Sequence, residues 1–242
     1  VTRDMGVTWQ GKEVFEYDAP YRELWIWGRN NYGQHGDNST TQRSSPVQVP
    51  GKWKEATFAS NMVYSTKFDN TLWAWGENHR GQLGQNDNIN RSSPTQIPGT
   101  TWSNVTVGSN SVLAIKTNGE LWSWGYQYMG MLGQNTNEND AFTLSSPKQV
   151  GTDTTWSQTT GVTNKLAIKT DGTLWSWGYN NLGGSGLNDI INRSSPTQVG
   201  TNTTWSKIST GHRQTAMAIK TDGTLWGWGS GDNKIFAASD NN

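Results

Sequence analysis

The chain has 242 residues, with 19 Lys or Arg against 19 Asp or Glu, so its formal net charge at pH 7 is +0. That balance provides no basic field to recruit nucleic acid or an anionic membrane. Cysteine is absent, which excludes disulfides and thiolate chemistry. The apolar runs are only a few residues long and residues 1–20 lack a basic start before an apolar run, so we expect no membrane insertion and no signal peptide.

A pentapeptide of the type Leu-Trp-x-Trp-Gly recurs at intervals of about fifty residues, which is typical of an array of one supersecondary unit. The copies hold ten of the 15 tryptophans. They lie at residues 24–28, 72–76, 121–125, 174–178 and 225–229.

Before the first pentapeptide, residues 6–10 and 13–17 could form two shortened strands of a first unit. The segment at 7–10 could instead complete the last unit, and residues 234–238 are another possible closing strand. We favour a closed ring of five units. The alternative is that the chain is a piece of a longer array.

The unit at residues 156–199 predicts antiparallel strands and no helix. A β-branched, alternating segment leads to Asp171-Gly172, which favours the positive φ of a two-residue hairpin, and the pentapeptide returns as the next strand. A Gly/Asn-rich loop follows at 179–193. Ser-Ser-Pro at 194–196 then opens a last strand, where proline is tolerated at the first position. The other units agree, so we expect three or four strands in each.

A strand repeats its facing every two residues, so Trp175 and Trp177 share one face. Each indole removes on the order of 200 Å² from water when a neighbouring sheet covers it. Four-stranded sheets that stack in this way close radially into a β-propeller. The sequence therefore predicts an all-β propeller of about five four-stranded blades. We expect a single domain over 1–242, with blades near 1–50, 51–99, 100–151, 152–200 and 201–242.

The combined pattern is Gly-x-Leu-Trp-x-Trp-Gly-x-Asn-x-x-Gly-Gln-Leu-Gly, followed by Ser-x-Pro and an Ala-Ile-Lys strand. This pattern resembles the regulator-of-chromosome-condensation repeat family, and it covers roughly residues 21–229. The resemblance implies a propeller with blades of about fifty residues. The best-known members of that family have seven blades, whereas this chain has five pentapeptides.

The candidate chemistry is sparse. Fourteen of the 15 tryptophans lie in repeat phase, so we expect them in the core between blades and not as platforms for sugars or bases. His35 and His79 occupy neighbouring loop positions one repeat apart, and His212 lies elsewhere, without convergent partners. The Asn/Asp clusters of the loops lack the spacing of a calcium loop. We therefore expect no catalytic residue, no cofactor and no metal.

Long loops follow the pentapeptides and leave the same end of the same strand, so a propeller gathers them on one side. Loops on a rigid scaffold often carry recognition, and exposed Tyr and Met favour interface cores. We predict a partner contact here with Tyr128, Met129 and Met131 nearest its centre and His35 and His79 in the neighbouring loops. Alternatively, Met131 and Leu132 simply fill the inside of their loop. The longest loops run over 29–43, 77–91, 126–144 and 179–193.

We interpret the sequence as a non-enzymatic structural or adhesive propeller at a virion or cell surface that binds a protein or glycan partner through its loops. The neutral charge, the absence of cysteine and the Asn/Thr/Gly-rich loops favour this reading. The alternatives are a regulatory propeller, resembling the family's guanine-nucleotide exchange factor for a small GTPase, and a glycan-binding lectin. Fold alone does not decide among them. An extracellular or virion location is expected, and a cytoplasmic one stays open.

Overall fold

The computed structural model describes residues 7–9, 12–14, 22–59, 61–108, 110–136, 140–211 and 214–230. These residues form β-strands joined by turns and loops, and no α-helix is found among them. In chain order, strands β1 to β19 are Val7–Trp9, Lys12–Val14, Arg22–Gly28, Arg43–Trp53, Glu55–Ala59, Met62–Thr66, Leu72–Gly76, Arg91–Gln96, Trp102–Gly108, Ser111–Lys116, Leu121–Gln127, Phe142–Gln149, Trp156–Gly161, Asn164–Lys169, Leu174–Gly178, Arg193–Gln198, Trp205–Thr210, Thr215–Lys220 and Leu225–Gly229.

The strands pair antiparallel in chain order within successive sheets. We number the blades from 1 to 5: blade 1 is β3–β4, blade 2 is β5–β8, blade 3 is β9–β12, blade 4 is β13–β16 and blade 5 is β17–β19. Blades 2, 3 and 4 have four strands, and β1 pairs with β2 in a separate hairpin. The predicted all-β propeller of about five blades is confirmed. The predicted blade boundaries stay a prediction.

The tight turn between the second and third strands orients the first tryptophan of each pentapeptide. In blade 4, Gly172 has φ +77°, as the Asp-Gly pattern predicts. Asp171 Oδ1 accepts hydrogen bonds from the Thr173 hydroxyl (2.7 Å) and backbone N–H (3.0 Å), and these bonds hold the pKa of Asp171 below its ordinary value. Thr173 Oγ1 in turn accepts a bond of 2.9 Å from Trp175 Nε1.

Three indoles pack together in blade 4. Trp156 lies edge-on to Trp175 at 5.8 Å and to Trp177 at 6.3 Å between ring centroids. The Lys169 ammonium sits 3.8 Å from the Trp175 ring centroid, a cation–π contact. The same arrangement recurs in blades 3 and 5 around Trp102 and Trp205. Trp53, at the end of β4, packs in a similar way against Trp73 and Trp75 of blade 2.

Blades stack through two different faces of each sheet. Trp177 and Ala167 of blade 4 pack with Leu113 and Leu121 of blade 3, and all four side chains are buried. The tryptophans therefore face the preceding blade and the leucines face the following one, as the period of two predicts.

The second indole of each pentapeptide also joins the blades by a hydrogen bond. Trp177 Nε1 donates to the Met131 carbonyl in the long loop of blade 3, at 3.2 Å. Equivalent bonds join Trp75 to Gln34, Trp124 to Gln82 and Trp228 to Gly184 at 2.7 to 2.9 Å.

The two end faces of the array are exposed among the described residues. Leu225 of blade 5 is 66% exposed, whereas the same leucine in the three blades before it is fully buried. At the other end, Trp25 and Trp27 of blade 1 are 48% and 60% exposed. The predicted closed ring of five is therefore wrong for the described residues, because these faces lack the covering sheet that buries their counterparts.

Strand β1 does not complete the last blade. It pairs with β2, with Val7 opposite Val14 and Trp9 opposite Lys12. Antiparallel strands joined by two residues pair locally, which explains this outcome. Of the proposed shortened strands at 6–10 and 13–17, the described residues lie in this hairpin, which is a sheet apart from blade 1. The candidate closing strand at 234–238 lies outside the described residues.

We expect Trp177→Ala to lower the free energy of unfolding by about 3–5 kcal/mol, because it leaves a cavity in the blade interface. Trp25→Ala removes a half-exposed indole and should cost much less. Urea denaturation followed by circular dichroism measures both. Equal losses for the two variants would contradict the stacking account.

Candidate functional site

The long loops are held from inside by a buried amide. Each loop begins at the pentapeptide glycine. The side chain of the second residue after that glycine points into the loop. In blade 2 this is Asn78, fully buried, whose Oδ1 accepts from the Leu83 N–H at 2.8 Å and whose Nδ2 donates to the Asp87 carbonyl at 3.0 Å. These bonds fix both halves of the loop. Asn30, Gln127 and Asn180 accept the equivalent N–H bond at 2.8 to 2.9 Å in blades 1, 3 and 4.

Aromatic side chains cross the surface of these loops, on the side that we call the long-loop face. Tyr126 and Tyr128 are stacked, with ring centroids 6.1 Å apart and 5° between their planes, and Tyr179 lies 6.4 Å from Tyr128. The guanidinium carbon of Arg80 lies 4.4 Å from the Tyr126 ring centroid. Arg80, Tyr126, Tyr128 and Tyr179 form what we call the tyrosine row, which links the loops of blades 2, 3 and 4.

A second aromatic pair extends the long-loop face toward blade 1. Tyr32 and His79 meet edge to face, with ring centroids 5.7 Å apart. His79 is exposed and Tyr32 is half-buried. Four successive loops thus present aromatic or guanidinium groups to the same side.

The predicted contact residues divide into exposed and buried ones. Tyr128 is 40% exposed, and Met129 is half-buried with φ +50°. Met131 is 3% exposed and His35 is fully buried, so neither can reach a partner in this conformation. Burial also lowers the pKa of His35. Met131 and Leu132 are both buried, as the alternative reading expects of side chains that fill the inside of their loop.

Three members of the tyrosine row are missing from the sequence prediction. Tyr126 and Tyr179 directly follow a pentapeptide glycine, and Arg80 comes four residues after one. These fixed offsets are a signal that the sequence carries. Nothing in the pattern, however, shows that side chains from different repeats meet.

Clusters of metal-binding side chains are absent from the described residues. Within them, no three His, Cys, Asp or Glu side chains come together to hold a metal. His212 lies outside them. In the same part of the chain, no helix has the length and apolarity to cross a membrane.

Comparison with known proteins identifies the repeat. The family model described as regulator of chromosome condensation repeat matches residues 69–115 and 171–218. Each of these two segments is similar to that repeat, and together they cover less than half of the chain. A search of curated protein sequences found no match.

Solved structures with this repeat fold superpose well. Human WBSCR16 matches with a TM-score of 0.72 at 22% identity, over 85% of this chain and 56% of that one. Yeast RCC1 (Prp20), in the structure of Kap60 bound to it, gives 0.73 at 18% identity, over 86% and 52%. Prp20p from Saccharomyces cerevisiae gives 0.68 at 17%, over 88% and 53%. These identities show the fold alone, and the repeat chain spans about half the length of those proteins.

One titratable side chain, in β14, lies in the interior of the protein. Lys165 is fully buried, and burial lowers its pKa to about 7. Its Nζ donates to Ser111 Oγ at 2.8 Å and to the carbonyls of Gly161 at 3.1 Å and Val162 at 2.9 Å. Perturbed groups often mark functional sites. Here the three acceptors engage all three donors of an ammonium group, so Lys165 links blade 4 to blade 3.

The depressed pKa of Lys165 makes a pH-dependent contribution to stability. Between pH about 7 and 10.5 the unfolded chain binds more protons at this residue than the folded chain, so stability rises with pH. We expect the melting temperature of the wild type to rise relative to Lys165→Met as the pH increases from about 7 to about 9.5. Differential scanning calorimetry of both proteins across this range measures the difference. Parallel curves would show that Lys165 is not the titrating group.

Proposed function

We propose that the chain is a non-enzymatic regulatory propeller that binds a protein partner through its long-loop face, with the tyrosine row at the centre of the contact. The tyrosine row is the observation that carries the proposal. Tyr and Arg are the residue types that most often dominate binding energy at protein interfaces. Here they lie on loops fixed by buried amides, so little entropy is lost when a partner orders them.

The packing within the row favours a protein over a glycan. Arg80 lies over the ring of Tyr126, and Tyr126 stacks on Tyr128. Tyr126 therefore already contacts a guanidinium group and a second ring, and Tyr128 contacts two rings. Stacking on a sugar ring would require free aromatic faces, whereas a protein interface uses edges, hydroxyls and the guanidinium group.

The comparisons support the same class of partner. The Prp20 structures are described with Kap60 and with binding properties to Gsp1p and histones, all of them proteins. This supports the regulatory reading more than a structural or adhesive role at a virion or cell surface, and more than an extracellular location. Because the chain spans about half of those proteins, the proposal is limited to protein binding and does not include nucleotide exchange.

We expect Tyr128→Ser to weaken binding of a protein partner by about tenfold or more, as the loss of an interface anchor does. The test measures binding of purified Gsp1p, Kap60 and histones to the immobilised chain by biolayer interferometry, with a glycan array in parallel. The wild type should bind at least one protein and no arrayed glycan.

Phe68→Ser is the matched control. Phe68 is 43% exposed, close to the 40% of Tyr128, but it lies at the tight turns on the opposite side of the blades. Binding should survive this change. Glycan binding without protein binding, or equal losses for both variants, would contradict the proposal.

A further inference from the structure

The long loop of blade 1 contains a histidine where the loops of blades 2 and 3 contain a leucine. The His35 N–H donates to Asn30 Oδ1 at 2.8 Å, and the N–H groups of Leu83 and Leu132 make the equivalent bonds. All three side chains are fully buried. An imidazole ring therefore occupies an interior position that aliphatic side chains fill in the next two blades.

Neither ring nitrogen of His35 has a hydrogen-bond partner in the part of the chain that the structure describes. A neutral imidazole carries one donor and one acceptor, whereas the protonated ring carries two donors and a positive charge. Burying a polar group without a partner is costly, and burying an unpaired charge costs far more. The interior of the loop therefore accepts the neutral ring and opposes the protonated one.

The charged side chains near the ring do not reverse this preference. Burial has the largest effect on the pKa of His35 and lowers it; Asp37, in the same loop, raises it, and Arg43, at the start of β4, lowers it. Asp37 also pairs with Arg43 at 3.4 Å, so its carboxylate is shared with another cation. The net result is a pKa of His35 below its ordinary value.

The residues on either side of His35 join this loop to blade 2. The Gln34 carbonyl accepts the hydrogen bond from Trp75 Nε1, at 2.9 Å. A Cβ added at Gly36 would lie 2.8 Å from the same Nε1. The ring thus lies in a segment that packs directly on the buried indole of blade 2, and the loop cannot open around His35 without loosening the junction between blades 1 and 2.

The same loop is connected to the long-loop face. The Tyr32 N–H donates to Gln34 Oε1 at 2.9 Å, and the Tyr32 ring meets His79 of blade 2. Gln34 Nε2 donates to Asn61 Oδ1 at 3.4 Å, and Asn61 Nδ2 donates to Glu77 Oε2 at 2.8 Å. Blade 2 thus brings two titratable groups, Glu77 and His79, into the surroundings of this loop.

We propose that the long loop of blade 1 is an acid-sensitive segment, in which protonation of His35 drives the ring out of the interior and opens residues 30–38. In the open loop the ring meets water, where histidine titrates near pH ~6.5. The closed loop binds fewer protons below that pH, so its stability falls as the pH falls. Opening also separates Tyr32 from His79 and removes the blade 1 end of the long-loop face. The proposal goes beyond protein binding, and its test needs no partner.

The experiment is amide hydrogen exchange of the full chain, followed by NMR at pH about 7.5 and about 5.5. The reporter amides are those of His35, Gly36 and Asn38, which donate to Asn30 Oδ1, the Gly33 carbonyl and the Ser92 carbonyl. Leu83, Gly84 and Asn86 make the same three bonds in blade 2 and serve as internal references. We expect the protection factors of the blade 1 amides, corrected for intrinsic exchange, to fall by up to about tenfold in acid, because one pH unit below the pKa of an exposed histidine shifts opening by that factor. Those of blade 2 should change by less than about twofold.

His35→Leu and His79→Gln form a pair of variants. The first places in the loop the residue that blades 2 and 3 use, so it should abolish the difference between the two pH values. The second removes the exposed imidazole of the next loop, so it should leave that difference unchanged. If His35→Leu fails to fold, the blade 2 amides and His79→Gln still decide the question.

Three results would overturn the proposal. Equal acid-induced losses of protection in the loops of blades 1 and 2 would indicate a general destabilisation. Loss of the pH dependence in His79→Gln, with its retention in His35→Leu, would assign the titration to His79. Protection of the blade 1 amides that does not change between the two pH values would mean that the loop stays closed in acid.

Discussion

The contact on which the structure depends is the hydrogen bond from the second indole of each pentapeptide to a carbonyl in the preceding long loop. This hydrogen bond couples the conformation of the long loop to the stacking of the blades. The indole is buried between blades, so its N–H must find an acceptor, and the loop supplies one only in the conformation that the buried amide imposes. Trp177, bonded to the Met131 carbonyl, is the example in which loop shape and blade stacking require each other.

In the part of the chain that the structure describes, the array of blades has two exposed end faces. Each blade contributes its own stability and one interface with each neighbour, so the terminal blades lack an interface that the internal ones have. Leu225 and Trp27 show this directly, because they carry the same residue types as buried positions and yet are exposed.

The strands, the tight turns and the tryptophan core could be predicted because each follows from a local pattern repeated several times. The residues of the long-loop face could not be predicted. A sequence period determines which face of a strand a side chain occupies, but it does not determine the direction of a side chain in a loop. Met131 and Tyr128 lie three residues apart in one loop, and one is buried while the other is exposed. The buried amide of Gln127 determines this difference. Its Oε1 accepts a hydrogen bond from the Leu132 N–H, which fixes the path of the residues between them. Closure also depends on contacts between distant residues, which no local pattern reports.

The long loops contribute both to the blade interfaces and to the long-loop face, and this limits how their surface can change when a partner binds. Because Met131 accepts the Trp177 indole while Tyr128 stands on the outer side, the loop cannot change shape at the surface without breaking a contact between blades. A partner therefore meets a preformed row, and the entropy of ordering it has already been lost in folding.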